Sequence, residues 1–415
     1  QLARVPTSSG DLERLSFAAK MEVDYSEERK QIFHETWRAL NQGFYDPDFH
    51  GDDWSALRDT YRPWAMQAST MRDFRDVLNL MLGELNASHM GFYNQDRAET
   101  QETRTGRLGV ELDPVQNGVE VQRVVPRSPA DREASTLREG DVITAVDGES
   151  VTEAGNVYKL LDDTVDEKVL LAVTGPDGET RSVRIRPTSD LGDELYREWV
   201  EERKELTEEY SDGRLGYIHI EGMNWQSFEH FERELYATAH DKEGLIIDVR
   251  FNGGGWTTDF LLTVLNVRRH AYTVPRGATD NLEQNHEQFR AHYPFGERLP
   301  YAAWTKPAAT LANNNSYSNA EIFSHAFKNL DHGPLVGTPT FGAVISTGGA
   351  GLLDGSFVRM PFRAWYVHQT DENMEHGPAM PDVRVSNPPA VKATGEDPQL
   401  RRTVEELLQQ MDDSQ

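Results

Sequence analysis

Cysteine is absent from the 415 residues. Disulfides, thiolate metal sites and a cysteine nucleophile are thereby excluded. The absence says nothing of compartment, because a cysteine-free chain folds in either redox environment. Positive charge is scarce: 42 Lys plus Arg stand against 69 Asp plus Glu, a formal net charge of −27. That balance argues against nucleic acid, whose phosphates need a basic surface, and against an anionic membrane surface. No apolar run approaches the ~18 residues of a membrane span, so no membrane insertion is expected. Apolar residues make up only 37%, yet they include 8 Trp, 14 Tyr and 17 Phe, enough to build cores. An enzyme built from this chain must use Ser, Thr, His, Asp, Glu, Lys or a non-thiolate metal.

The length implies two to four domains at roughly 100–200 residues each. The opening Gln1-Leu2-Ala3-Arg4 shows no basic region before a long apolar run, and so no secretory signal. The expectation is a chain that begins inside a longer or processed protein, with residues 1–24 as an extension. Compartment stays open, cytosolic or extracytoplasmic. Residues 25–104 read as a helical domain. Its clearest segment puts Met71, Phe74, Val77, Leu78, Met81, Leu82 and Leu85 on one face at helical spacing, behind a Thr70–Asp73 start signal. Residues 105–190 read as a compact β module with short alternating strands and Asp-Gly turns. Residues 191–415 alternate strands and helices, which predicts an α/β layer with parallel strands. The charged stretch Glu194 to Tyr210 reads as a solvated helix or connector.

Four stretches can carry chemistry. In the first, the buried strand ending at Asp248-Val249-Arg250-Phe251-Asn252 runs into Gly253-Gly254-Gly255. Glycines there let backbone N–H groups approach a ligand or a developing oxyanion at the carboxyl end of a strand. Neither the Walker pattern nor Gly-x-Gly-x-x-Gly is met, so no nucleotide cofactor is expected. In the second, Ser318 lies in Asn313-Asn314-Asn315-Ser316-Tyr317-Ser318-Asn319, between an apolar strand and a helix. A serine at such a turn sits near the helix N-terminus, where free N–H groups favour an oxyanion. A plain helix cap is the competing reading. The third is Ser88-His89, just past a helix, with a second Ser324-His325 copy inside one. The fourth is the loop Asn373 to Asp382, which holds Glu375 and His376, the latter a competitor of His89 as base. No His-Glu-x-x-His pattern supports a metallohydrolase, and no metal is expected.

Taken in chain order, these stretches resemble the serine peptidases of the tricorn core and the related C-terminal processing peptidases. Phe44-Tyr45-Asp46-Pro47-Asp48, His50-Gly51-x-x-Trp54 and Pro381-Asp382 extend the likeness over nearly the whole chain. The tricorn branch fits better, because no Lys follows Ser318 until Lys328 and a Ser–Lys dyad is therefore disfavoured. The resemblance implies a multidomain α+β and α/β architecture: an N-terminal helical domain, a PDZ-like β module and a C-terminal α/β catalytic domain of crotonase-like ββα type. It implies Ser318 as nucleophile, His89 as general base, and Ser88 as the link to Glu375 in a Ser-His-Ser-Glu tetrad. The oxyanion would be held by the Gly255 and Asn319 amides. Leu108, Gly109 and Val110 match the carboxylate-binding turn of PDZ-like domains, which add a peptide as an edge strand. Thr273 stands where such cores carry an acidic specificity residue, so a preference for basic side chains is not expected. The partners implied are peptides or unfolded proteins and further copies of the chain in a homo-oligomer. β-Propellers often precede the helical domain in this family. The competing function is a catalytically idle scaffold that binds peptide C-termini.

One consequence follows from charge alone. A net −27 repels itself in the compact state, and added ions screen that repulsion. The melting temperature should rise between low and molar salt in a thermal-unfolding series; a flat or falling series contradicts this.

Overall fold

The computed structural model describes residues 2–5, 7, 10–15, 22–94, 102–268, 273–274 and 302–413. The chain divides into two units, residues 1–97 with 343–377, and residues 98–342 with 378–415.

The first unit holds three helices, Tyr25–Gly43, Trp54–Gln67 and Met71–Gly83. Each begins at a residue whose side chain accepts first-turn N–H bonds: Asp24, Asp53 and Thr70. The Thr70–Asp73 pair forms a complete capping box, with Asp73 N–H to Thr70 Oγ1 and Thr70 N–H to Asp73 Oδ2 both at 3.0 Å. The predicted stripe is buried at Phe74, Leu78, Met81, Leu82 and Leu85. It packs with Ile32, Phe33, Leu40, Trp54 and Phe92 in one core. The region read as helical is not helical throughout, because Gly91–Tyr93 is a strand. It joins an antiparallel sheet in the order Ile345–Gly351, Phe357–Ala364, Gly91–Tyr93.

The second unit opens with the β module. Its antiparallel strands run in the order Val110–Val115, Gly118–Val124, Val142–Val146, Val169–Thr174, Thr180–Ile185. Val121, Ile143, Val146, Leu171 and Val173 fill its core. Next comes a five-stranded parallel sheet in the order Leu215–His219, Gly244–Asp248, Ala308–Ala312, Leu335–Gly337, Val383–Arg384.

The first four strands of this sheet are buried on both faces, as parallel sheets require. Ile218, Leu245, Ile247, Ala308 and Leu335 face the helices Trp225–Ala237, Thr258–Leu265 and Asn319–Asn329. Leu215, Tyr217, Ile246, Leu311 and Val336 meet Val200 and Leu206 of Gly192–Tyr210 and Leu400, Val404 and Leu407 of Pro398–Asp413. The charged stretch around Glu194–Tyr210 is therefore a docked helix and not merely solvated.

Just past the strand Gly244–Asp248, second in the sheet, lies a fully buried Arg250. Its guanidinium bonds Asp248 at 2.7 and 2.9 Å and Asp397 at 2.9 and 3.0 Å. Burial opposes ionisation of Asp397, but the Arg250 charge and its hydrogen bonds overcome it and hold the carboxyl below the usual range. Removing one partner of such a pair strands a buried charge, at a cost of about 3–5 kcal/mol. Asp397→Ala should therefore lower the urea midpoint by an amount equivalent to several kcal/mol. A loss under about 1 kcal/mol would contradict that role.

Candidate active site

The candidate residues fall in both units. In the second, the strand Ala308–Ala312 ends and the helix Asn319–Asn329 begins across a six-residue loop. The loop is tied from several sides. Ser316 Oγ donates to Val249 O at 2.8 Å, and Tyr317 N–H donates to Asn252 O at 2.9 Å. Asn252 is itself buried, with Nδ2 on Ile220 O at 2.7 Å and Oδ1 accepting Gly254 N–H at 2.9 Å. These bonds hold Ser318 at φ 57° and ψ −117°, a backbone state that non-glycine residues adopt only when the surroundings enforce it. Glu321 Oε1 accepts the Ser318 N–H at 2.9 Å.

The glycine loop lies against this turn. A Cβ on Gly254 (φ +88°) would come within 2.7 Å of both Ser318 Cβ and Tyr317 O. A Cβ on Gly255 (φ +146°) would come within 1.9 Å of Met223 O. No side chain fits at either place. Among the described residues, neither the Gly255 nor the Asn319 N–H donates a bond. The Asn319 side chain is engaged elsewhere, its Oδ1 accepting Thr258 N–H at 3.0 Å. Both residues are thus held by surrounding bonds that leave their own N–H donors unspent among the described residues.

In the first unit, residues 287 apart in sequence meet. Ser88 N–H donates to Glu375 Oε1 at 2.6 Å, and Ser88 Oγ donates to Glu375 Oε2 at 3.0 Å. Ser88 Oγ also lies 2.6 Å from His89 Nδ1. The hydroxyl proton is committed to the carboxylate, so Nδ1 is the donor in the second bond. A neutral His89 then carries its lone pair on Nε2, the tautomer a general base needs. Burial first, and the Arg359 charge second, push the His89 imidazole down to about 4. Glu375 is buried, and its neighbour Tyr45 is raised to about 12 by burial and then by the Glu375 charge. Tyr45 Oη lies 2.6 Å from His50 Nε2, and His50 Nδ1 lies 2.7 Å from Leu85 O. Since a carbonyl only accepts, Nδ1 donates there and the phenol donates to Nε2.

Other candidates are placed differently. His376 Nε2 bonds Asn86 O at 2.9 Å and is exposed, and Ser324 Oγ bonds Ala320 O at 2.9 Å inside its helix. Leu108 is buried in the β-module core, and Gly109 (φ +88°) presses on Ser128, where a Cβ would stand 2.2 Å from Oγ. Gly109 O accepts from Val125 N–H at 2.9 Å and Ser128 Oγ at 3.2 Å. Val110 starts the edge strand. Thr273 is exposed; its companions His270 to Tyr272 lie outside the described residues. Asn252, Tyr45 and His50 lie within motifs read from the sequence but without a role assigned to their side chains, and Glu321 carries none either. For Glu321 the signal was present: Ser318-x-x-Glu321 before apolar residues is a capping-box pattern.

His89 offers a direct physical test. An unfolded histidine titrates near 6.5, whereas this one is held neutral to about 4. The stability it contributes is complete above 6.5 and is lost as pH falls towards 4. A histidine-selective NMR titration of the folded protein should place the His89 midpoint near 4; a midpoint at or above 6.5 contradicts the burial argument.

Comparison with known proteins adds three family matches. Residues 25–83 match the tricorn protease C1 domain, residues 106–190 the tricorn protease PDZ domain, and residues 214–385 peptidase family S41. A relative from Sulfurisphaera tokodaii, named for a tricorn-like protease C-terminal subunit, is 32% identical over 97% of this chain and 45% of its own length. The chloroplastic C-terminal processing peptidase of Tetradesmus obliquus is 26% identical over 79% of this chain and 71% of its own. The crystal structure of the tricorn protease superposes with a TM-score of 0.79 at 25% identity, covering 94% of this chain and 37% of that one. The chain thus spans less than half the length of its tricorn-type relatives.

Proposed function

Because the chain is a relative of the tricorn proteases that carries a peptidase family S41 domain, we propose that it is a serine endopeptidase acting on oligopeptides or unfolded proteins. The observation that carries this reading is Ser318, held in a strained strand-to-helix turn beside two backbone amides that donate to nothing else described.

Ser318 Oγ attacks the peptide carbonyl, and its proton passes to His89 Nε2. The Gly255 and Asn319 amides stabilise the tetrahedral oxyanion; each such donor is typically worth about 10²–10³ in turnover. His89 then protonates the leaving amine, and water releases the acyl-enzyme by the same route in reverse. Glu375 acts through Ser88: its carboxylate accepts the hydrogen bond of the Ser88 hydroxyl and so fixes the His89 tautomer. An idle scaffold is less well supported, because a non-catalytic binder needs neither the strained serine nor the unspent amides.

The same reading gives residues 25–104, 105–190 and 191–415 their roles as helical domain, PDZ-like module and catalytic domain. Val110 opens an edge strand, to which an extended peptide can add behind Leu108 and Gly109. With Thr273 at the specificity position, cleavage carries no bias towards Lys or Arg. Tricorn kinship supports a homo-oligomer.

Denatured casein is the substrate for the test. The wild-type chain should fragment it. Ser318→Ala and His89→Ala should each reduce hydrolysis by about 10³-fold or more. Undiminished cleavage by Ser318→Ala overturns the assignment.

A further inference from the structure

Helix capping accounts for only half of the Glu321 carboxylate. A first-turn glutamate usually faces solvent and returns one oxygen to the cap amide. Glu321 is completely buried, and both of its oxygens are engaged. Oε1 accepts the Ser318 N–H at 2.9 Å. Oε2 accepts from Thr340 Oγ1 at 2.7 Å and also from the Gly342 N–H.

Those second partners stand at the places where the chain changes unit. It leaves after Gly342 and returns at Pro378. Thr340 Oγ1 accepts the Ala379 N–H at 2.8 Å, and Thr340 N–H donates to Ala379 O at 3.3 Å. Gly342 (φ +87°) lies against Pro378, whose Cδ would stand 3.3 Å from an added Cβ. Phe341 N–H donates to Ser316 O at 3.1 Å, within the Ser318 loop itself. One carboxylate therefore links the Ser318 amide to both the outgoing and the incoming segment. The excursion between them, residues 343–377, contains Glu375.

We infer that Glu321 is a positioning residue that holds the strained Ser318 backbone in register with the two chain crossings bounding the Glu375 excursion. It touches no reacting atom. The inference rests on the reading of Ser318 as nucleophile and deepens it. Its chemistry requires a carboxylate, because three donors converge on two oxygens. A glutamine keeps one acceptor, and whichever way its amide turns, its NH2 meets a backbone donor, the N–H of Ser318 or that of Gly342.

The experiment measures kcat and KM for peptide hydrolysis, the rate of fluorophosphonate labelling at Ser318, and the melting temperature. It compares the full chain with Glu321→Gln, Thr340→Val and the double variant. Sub-ångström misplacement of a nucleophile lowers the chemical step more than binding. Glu321→Gln should lower kcat and labelling by about tenfold or more, with KM within about twofold. Thr340→Val, which also frees the buried Ala379 N–H, should lower the melting temperature modestly and, measured where the chain is fully folded, lower labelling by a smaller factor than Glu321→Gln. The double variant should be little worse than Glu321→Gln, as expected of groups in one network. Thr340→Val removes only one partner of the carboxylate, so it carries the test should Glu321→Gln fold poorly.

Wild-type kcat and labelling in both single variants overturn the inference, as does a loss that merely tracks the folded fraction. A wild-type chain whose label maps away from Ser318 overturns the nucleophile assignment and this inference together. A wild-type chain labelled at Ser318, with unaffected variants, overturns the inference alone.

Discussion

A guanidinium with almost no access to water sits just past the parallel strand Gly244–Asp248, and the α/β sheet is arranged around its neutralisation. Arg250 is ringed by Asp248, Asp397 and Gln399. Asp248 belongs to the strand, whereas Asp397 and Gln399 come from the start of the C-terminal helix, some 147 residues later. An unpaired charge at that depth costs several kcal/mol, so the C-terminal helix must dock before the strand end is stable. Tyr217 reinforces it by donating to Asp248 at 2.8 Å. The pair also fixes where the strand stops. The next residues, Phe251 to Gly255, leave the sheet as a loop whose course is set at one end by this ion cluster.

From that fixed end the loop meets the second constraint, close backbone approach. Gly254 and Gly255 have no room for side chains against Ser318, Tyr317 and Met223. Asn252 supplies bonds to both sides of the gap, to Ile220 and Gly254. Its own carbonyl takes the Tyr317 N–H. Two loops at the carboxyl ends of adjacent parallel strands are thereby locked together, and among the described residues the N–H groups of Gly255 and Asn319 take no part in the locking. On the proposed reading the covered core supplies rigidity to this edge of the sheet, and the remaining donors are available to an oxyanion.

The sequence revealed the parts that depend on local pattern. The stripe from Phe74 to Leu85, the β module and the strand–glycine-loop–helix around Gly255 follow from periodicity and turn chemistry. Ser318 was legible because an apolar strand, a polar loop and an apolar helix succeed one another over a short stretch. Less local features were hidden. Residues 343–377 follow the parallel sheet in sequence yet cluster with the helices near the N-terminus. Nothing in the pattern of Ile345–Gly351 or Phe357–Ala364 announces Gly91–Tyr93 as their partner. The Ser88–Glu375 bonds were reached through family likeness, since no physical rule joins two positions that far apart in a lone sequence. The strain at Ser318 and the burial of Glu321 are properties of packing, and composition carries no trace of them.

The central claim is that Ser318 is the nucleophile. The most direct measurement is peptide mapping by mass spectrometry after a fluorophosphonate has reacted with the folded chain. The account predicts one phosphonylated residue, Ser318, with the adduct absent after prior denaturation. A stable adduct on any other serine, or none on a chain that cleaves casein, would contradict it.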